Sequence, residues 1–316
     1  MAPAASDPDV RRWLRDLHAV EQQALVHLRL AVRLIDDPEL ARVLTLHWAE
    51  TRNHREALRR EMRSRGSWWR DIAATANRLG FLLLTAVGAD AAGKMLVDSI
   101  AYEHFETAAY RMLEGVARER GDDRLAELAA GIAAEEHAMS GRLSGWLDWA
   151  VACAHRRLNC SASLPLHLRG VHALETQAAT LLGFGARAGG EPELRRYCSE
   201  ELLVTATQRG RLQARLAEWG SSPSTARSGA MRLAGAAWGG LWGLQRYTTA
   251  KLTCFLYAER HLQIAAYELL VRESEVCGDR STAELARNLL GHERDAAKRL
   301  EKLLVPAAGW VADRAA

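Results

Sequence analysis

"LHAVEQQALVHLRLAVRLIDDPELARV", residues 17–43, lies without a gap on "VHALETQAATLLGFGARAGGEPELRRY", residues 171–197, at an offset of 154. His18 falls on His172, Glu21 on Glu175, Gln23 on Gln177, and Pro38-Glu39-Leu40 on Pro192-Glu193-Leu194. Further along, "EHFETAAYRML" (103–113) pairs with "RHLQIAAYELL" (260–270) at an offset of 157, so three residues are inserted between the second and third helices of the copy. So long a match at a nearly constant spacing marks a tandem duplication. The polar, proline-containing stretch "ACAHRRLNCSASLPL" (152–166) reads as the boundary, giving units at 8–151 and 165–305.

Each half has the same order of elements. In the first, a helix starts at Ser6-Asp7-Pro8 and runs to about Ile35, where "DDPEL" turns the chain and caps a second helix over 38–64. A third bundle helix spans about 90–119 and a fourth 123–151, with an extra apolar helix over 68–87 in the long crossover between. The fold expected is all-α: two tandem four-helix bundles, each with an added helix between helices two and three.

Composition agrees. With 48% hydrophobic and 26% charged residues over 316 positions, the chain reads as well cored, and its Ala, Leu, Arg and Glu content favours helix. A net charge of +3, with arginines interspersed among acids, leaves no nucleic-acid footprint. Cys153, Cys160, Cys198, Cys254 and Cys277 are odd in number and contain no CxxC pair, so reduced thiols in a cytoplasmic protein are expected. The start, "MAPAASDPDV", has neither a basic nor an apolar signal region, so no secretion signal is expected. The apolar runs "FLLLTAVG" (81–88) and "AMRLAGAAWGGLWGL" (230–244) are shorter than the roughly 20 residues of a membrane span.

A bundle helix buries positions alternately three and four apart, which makes any polar residue on that stripe conspicuous. Helix one gives Leu14, Leu17, Glu21, Ala24, Leu28; helix two gives Leu40, Val43, His47, Glu50, His54, Ala57, Glu61. Helix three gives Leu96, Ile100, Glu103, Glu106 or Thr107, Tyr110, Leu113. Helix four gives Leu125, Leu128, Ile132, Glu135, Met139, Trp146, with Glu136 at the edge. Every helix therefore carries an acid midway along its apolar row. Clustered buried carboxylates repel and take up protons unless cations supply counter-charge, so the pattern points to a dimetal carboxylate centre. His47 and His54 read either as core histidines, as ligands, or as partners of ligating carboxylates. His104 and His137 fall off the stripes.

"AVEQQAL" (19–25), "LHWAETRNH" (46–54), "EHFETAAYRML" (103–113) and "LAAGIAAEEHAMSGRL" (128–143) resemble the four helices of the ferritin-like superfamily, specifically its YciE/YciF-type stress-protein branch. The shared features are Glu on helix one, HxxET on helix two, EHxExxxY on helix three and EE on helix four. The resemblance is close over about 10–150 and fainter over about 165–305. It implies a bundle, often dimeric, with a di-iron or similar site and an activity that the branch leaves undefined. It marks Glu21, Glu50, Glu103, Glu106, and Glu135 or Glu136 as ligands. The superfamily's widespread ExxH pairs would put histidines where Asn53 and Ala138 stand, and Ser140 occupies a place where the branch often has Asp.

The second half departs from this set. Glu175 is kept, but Glu50 becomes Val204, His54 Gln208, Glu103 Arg260, Glu106 Gln263 and Glu135 His292, while Glu201 replaces His47. Arg260 is expected to neutralise Glu175 and Glu201, leaving that half without metal.

These readings converge on a cytoplasmic protein with two metal ions in its first half, iron expected and manganese the alternative. Iron/oxygen or peroxide chemistry in stress protection follows, with oxidase or ferroxidase-like activity confined to that half. The two bundles are expected to pair as an intrachain pseudo-dimer, with room for a homodimer. The rival reading is a non-enzymatic scaffold that docks a partner, or more weakly a membrane surface, through "SWWRDIAATANRLGFLLLTAVG" (67–88) and "AMRLAGAAWGGLWGLQRY" (230–247).

Overall fold

The computed structural model describes residues 7–66, 91–188, 190–225, 228–233 and 248–312. The crossover helix expected over 68–87 and most of the Trp/Gly-rich crossover at 230–247 lie outside the described residues. Among the described residues there is no strand, and the fold is all-α.

Helix α1 (Pro8–Leu34) begins where Asp7 accepts bonds from the backbone N–H groups of Asp9 and Val10, and α2 (Pro38–Ser64) repeats the device with Asp37. In both, proline occupies the first helical position, where its missing N–H costs nothing. Helix α3 (Ala91–Glu119) joins α4 (Asp123–Ser144) through a tight turn at Gly121, whose φ of 69° suits a residue without a Cβ. Asp122 caps α4 at Leu125 N–H and also holds Arg65 at 2.6 Å, fastening the end of α2 to this turn.

The fourth helix was expected to continue to 151, but it stops at Ser144. The chain turns at Gly145–Trp146 and α5 (Leu147–His155) follows. Helices α6 (Cys160–Ala188), α7 (Pro192–Glu218), α8 (Thr248–Val276) and α9 (Arg280–Ala312) repeat the first four. The stretch read as a non-helical boundary is therefore mostly helix, and only residues 156–159 separate α5 from α6. Two compact units result, the first running to Trp146 and the second from Leu147 to Trp310.

Each unit packs leucines and alanines of its helices inward. Leu14, Leu17, Leu40, Leu58, Met112 and Leu125 are all fully buried in the first. The expectation of reduced thiols is corrected: Cys160 and Cys277 form a disulfide across 117 residues, tying the start of α6 to the end of α8. Nothing in the spacing of five scattered cysteines could reveal that pairing. Cys198 and Cys254 are buried free thiols and Cys153 is half-buried. No described helix is long and apolar enough to cross a membrane.

Candidate metal centre

On α1 the expected stripe holds without change: Leu14, Leu17, Glu21, Ala24 and Leu28 are buried. On α3, Glu103, Glu106, Thr107 and Tyr110 are all buried as well. The other two helices are rotated slightly from the sequence reading. Helix α2 buries Leu40, Leu44, His47, Thr51, His54, Leu58 and Glu61, leaving Val43, Glu50 and Ala57 at the edge. Helix α4 buries Leu125, Ala129, Ile132, Glu136, Met139 and Leu143. The edge residue of the sequence reading, Glu136, is thus fully buried, and Glu135, placed on the stripe, has a side chain 59% exposed.

Four carboxylates, Glu21, Glu103, Glu106 and Glu136, consequently meet in the middle of the first bundle with His47 and His54. Donor atoms of Glu21, His54 and Glu136 lie within 4.8 Å of one another, as do those of His47, Glu103 and Glu136. Glu136 belongs to both groups and stands between them. His47 Nε2 is 3.0 Å from Glu103 Oε2 and 3.6 Å from Glu136 Oε2, yet none of these three atoms makes a hydrogen bond. Both oxygens of Glu106 and Oε2 of Glu21 are also buried without a hydrogen-bond partner. Buried oxygens left in this condition cost several kcal/mol each in a bundle core, unless they face a cation. Two groups of three donors around a shared carboxylate are able to hold metal ions.

Glu50 and Glu135 stand outside this group, at the rim, and each meets the outward nitrogen of a histidine. His47 Nδ1 is 3.1 Å from Glu50 Oε2, and Arg142 approaches the same oxygen at 3.3 Å. His54 Nε2 is 2.8 Å from Glu135 Oε2 while its Nδ1 is 2.8 Å from Glu136 Oε1 and 3.8 Å from Glu21 Oε1. Each imidazole thus runs from a rim carboxylate to an inner one, the arrangement that orients a ligating histidine and fixes its tautomer. Tyr110 donates its hydroxyl to Glu21. His104 is buried, faces His137 edge-on with ring centres 5.9 Å apart, and lies in neither donor group.

The electrostatics record the crowding. Burial, reinforced by the Glu136 charge, pushes Glu21 up to about 8, and burial raises Glu103 to about 7 despite His47. Burial and three neighbouring acids raise Glu106 well above the carboxylate range. Burial alone would depress the histidines, but Glu103 and Glu136 lift His47 to about 10, and Glu136 and Glu21 lift His54 to about 9. Glu136 goes the other way: burial opposes its charge, but the His54 bond and the His47 charge hold it below its usual range. With only protons available, one carboxylate stays ionised between two imidazolium rings while its neighbours take up protons.

The equivalent position in the second unit solves the same problem with a guanidinium. Arg260 is fully buried, 2.6 Å from Glu293 and 3.9 Å from Glu201. Gln208 donates to Glu293 at 2.9 Å, and Tyr267 donates to Glu175 at 2.6 Å, as Tyr110 does to Glu21. The expected pairing of Arg260 with Glu201 is present, and the guanidinium also favours the charged form of Glu175, but the main partner of Arg260 was not anticipated from sequence. Its nearest partner is Glu293, the counterpart of Glu136, and Glu201 is also held by Arg299 from the surface. Sequence reasoning missed one further cluster, in which His155 and Glu273 approach the disulfide.

Comparison with known families matches residues 11–154 and again 163–310 to one family, described as a domain of unknown function (DUF892). Neither the curated proteins nor the solved structures gave a match.

Proposed function

Because the chain belongs to the DUF892 family, the YciF-type ferritin-like proteins, in two tandem copies, we propose that its first bundle is a dimetal redox centre and its second a metal-free partner copy. The observation that carries this reading is the pair of donor groups sharing Glu136, set beside Glu106 and Glu21 oxygens that are buried without a hydrogen-bond partner. Four carboxylates match the charge of two divalent ions with both imidazoles neutral, and the mixed O/N donor set suits iron first and manganese second. His54 Nδ1, Glu21 and Glu136 would hold one ion; His47 Nε2, Glu103 and Glu136 the other. Glu106 has two free oxygens at the same depth and would complete either sphere.

Iron bound there would supply one-electron chemistry toward oxygen or peroxide. The chain's own residues supply the rest. The rim carboxylates Glu50 and Glu135 accept the outward N–H of each histidine, leaving the inner nitrogens as donors. Tyr110 keeps its proton, since burial and Glu21 raise its hydroxyl well above the usual range, and it orients Glu21 by donating to it. The inner acids and both histidines are themselves buried, which would limit water at the centre. Such a centre would consume oxygen or peroxide together with free iron, a protective role.

The test is consumption of hydrogen peroxide by the full chain with Fe(II), compared with a Glu103→Gln/Glu136→Gln variant. Removal faster than by free Fe(II), lost in the variant, supports the proposal; equal rates in both proteins end it.

A further inference from the structure

The second unit contains a cluster that the metal-centre reading does not use. Cys160 opens α6, Cys277 follows α8, and His155 ends α5, so three chain segments converge at one end of the bundle. The donor atoms of His155, Cys160 and Cys277 lie within 4.8 Å of one another. His155 Nε2 is 3.8 Å from Cys277 Sγ and 3.1 Å from Glu273 Oε1. Glu273, one turn before Cys277 on the same face of the chain, is completely buried, and neither of its oxygens accepts a hydrogen bond. Its second oxygen lies 3.7 Å from His167 Nδ1. A buried carboxylate with no hydrogen bond, directed at an imidazole beside two sulfurs, has more donor capacity than a disulfide alone can use.

We propose that Cys160, Cys277, His155 and Glu273 form a second, redox-gated metal site for a borderline divalent cation of the zinc type, closed while the sulfurs are joined and opened by reduction. The donor set, two thiolates, one imidazole and one carboxylate, suits tetrahedral Zn²⁺ and differs in kind from the oxygen-rich centre of the first bundle. The steps balance. A dithiol reductant gives two electrons and two protons to the disulfide, becoming a cyclic disulfide itself and leaving two Cys thiols. Binding of the cation then expels two protons as both sulfurs coordinate as thiolates. Exchange with an external disulfide reverses the sequence: that disulfide takes the two electrons and two protons and leaves as two thiols, the Cys160–Cys277 bond re-forms, and the cation is released. His155 donates through Nε2, and Glu273, already at that nitrogen, moves from ion-pair partner to fourth donor. The cluster lies wholly within the second unit, so it stands or falls independently of the iron reading.

The experiment uses Co²⁺ as an optical stand-in for zinc on the full chain, with and without prior reduction by a small dithiol that is then removed anaerobically. Reduced protein is expected to bind one equivalent giving thiolate-to-cobalt charge-transfer absorption and the intense visible bands of a tetrahedral ion; oxidised protein should give neither. Zn²⁺ should displace the cobalt and bleach both. Cys277→Ser and His155→Ala should each weaken binding about a hundredfold, Glu273→Gln about tenfold, and Cys153→Ser should leave it unchanged. A reduced wild-type protein without the charge-transfer band overturns the site, and that arm requires no variant to fold. A band of undiminished intensity and cobalt affinity in Cys277→Ser overturns it equally.

Discussion

His54 Nδ1 lies 2.8 Å from Glu136 Oε1, and the opposite nitrogen of the same ring lies 2.8 Å from Glu135 Oε2. Two adjacent glutamates of one helix thus grip a single imidazole from both sides, one fully buried and one at the surface. His47 is likewise held between a buried and a rim acid, here from two helices: Glu103 of α3 and Glu50 of its own α2. This separates inner acids, which would face metal ions in the proposed centre, from outer acids, which aim the histidines.

The division predicts different consequences on the two sides. Glu135→Gln and Glu50→Gln should keep the number of metal ions bound while lowering affinity about 10- to 100-fold. Glu103→Gln should remove one equivalent outright. Equilibrium dialysis against graded Fe(II) or Mn(II) separates lost stoichiometry from weakened affinity.

Metal uptake should release protons, and affinity should climb with pH. Before loading, Glu21 holds its proton up to about 8 and Glu103 up to about 7, while His47 and His54 stay protonated up to about 10 and 9. A bound cation must displace these protons, so each is a competitor that rising pH removes. Titration calorimetry at pH 6.5 in buffers of different ionisation enthalpy should report release of more than one proton per metal ion. Buffer-independent heats would contradict the charge scheme.

Metal-free protein should be most stable in mild acid. Glu21, Glu103 and both histidines have folded pKa values above their unfolded ones, so the folded state holds extra protons. Their contribution is complete below the unfolded values and is lost as pH rises toward 8 to 10. His27 limits the acid side. Burial lowers it to about 4, so as pH falls below 6.5 the unfolded chain takes up a proton that the folded one refuses, costing about 2–3 kcal/mol by pH 4. Because Glu21 and Glu103 begin to lose their contribution above the ordinary carboxylate value of 4.5 and outnumber His27, urea denaturation of chelator-treated protein should peak at about pH 5. A His27→Gln variant should lose less stability on acidification, and saturating metal should abolish the decline above neutrality.

Arg260 in the second unit gives a prediction that needs no metal. Arg260→Met leaves Glu293 buried without its guanidinium, while Glu201 keeps Arg299, and should cost about 3–5 kcal/mol, whereas adding Glu293→Gln should recover much of that loss. Denaturant melts of the single and double variants measure the coupling directly.

Most of this architecture was legible in the chain. The duplication, the capping Asp-Pro pairs and the bounds of α1 and α2 rest on local chemistry that acts wherever it occurs. Which helices carry inward acids was legible too. The phase of two stripes was not. On α2 and α4 the positions shared by both possible phases, such as Leu40, His47, His54, Leu125, Ile132 and Met139, were placed correctly, while Val43, Glu50, Ala57, Leu128 and Glu135 fell one place off and Trp146 lies beyond the end of α4. Alanine explains the error on α4. Ala126, Ala129 and Ala133 are weak apolar signals beside Leu128, yet all three are buried on α4, which packs against α3, where Ala108, Ala109 and Ala117 are buried as well. The same shift hid Glu293 in the second copy. The disulfide and its neighbours were illegible because they join segments 117 residues apart.

Anaerobic titration of the full chain with Fe(II), followed by metal analysis of the gel-filtered protein, tests the central claim most directly. The wild-type chain should retain two iron equivalents and Glu136→Gln, lacking the carboxylate common to both donor groups, fewer than one. Equal iron in the two proteins would contradict the shared-carboxylate centre.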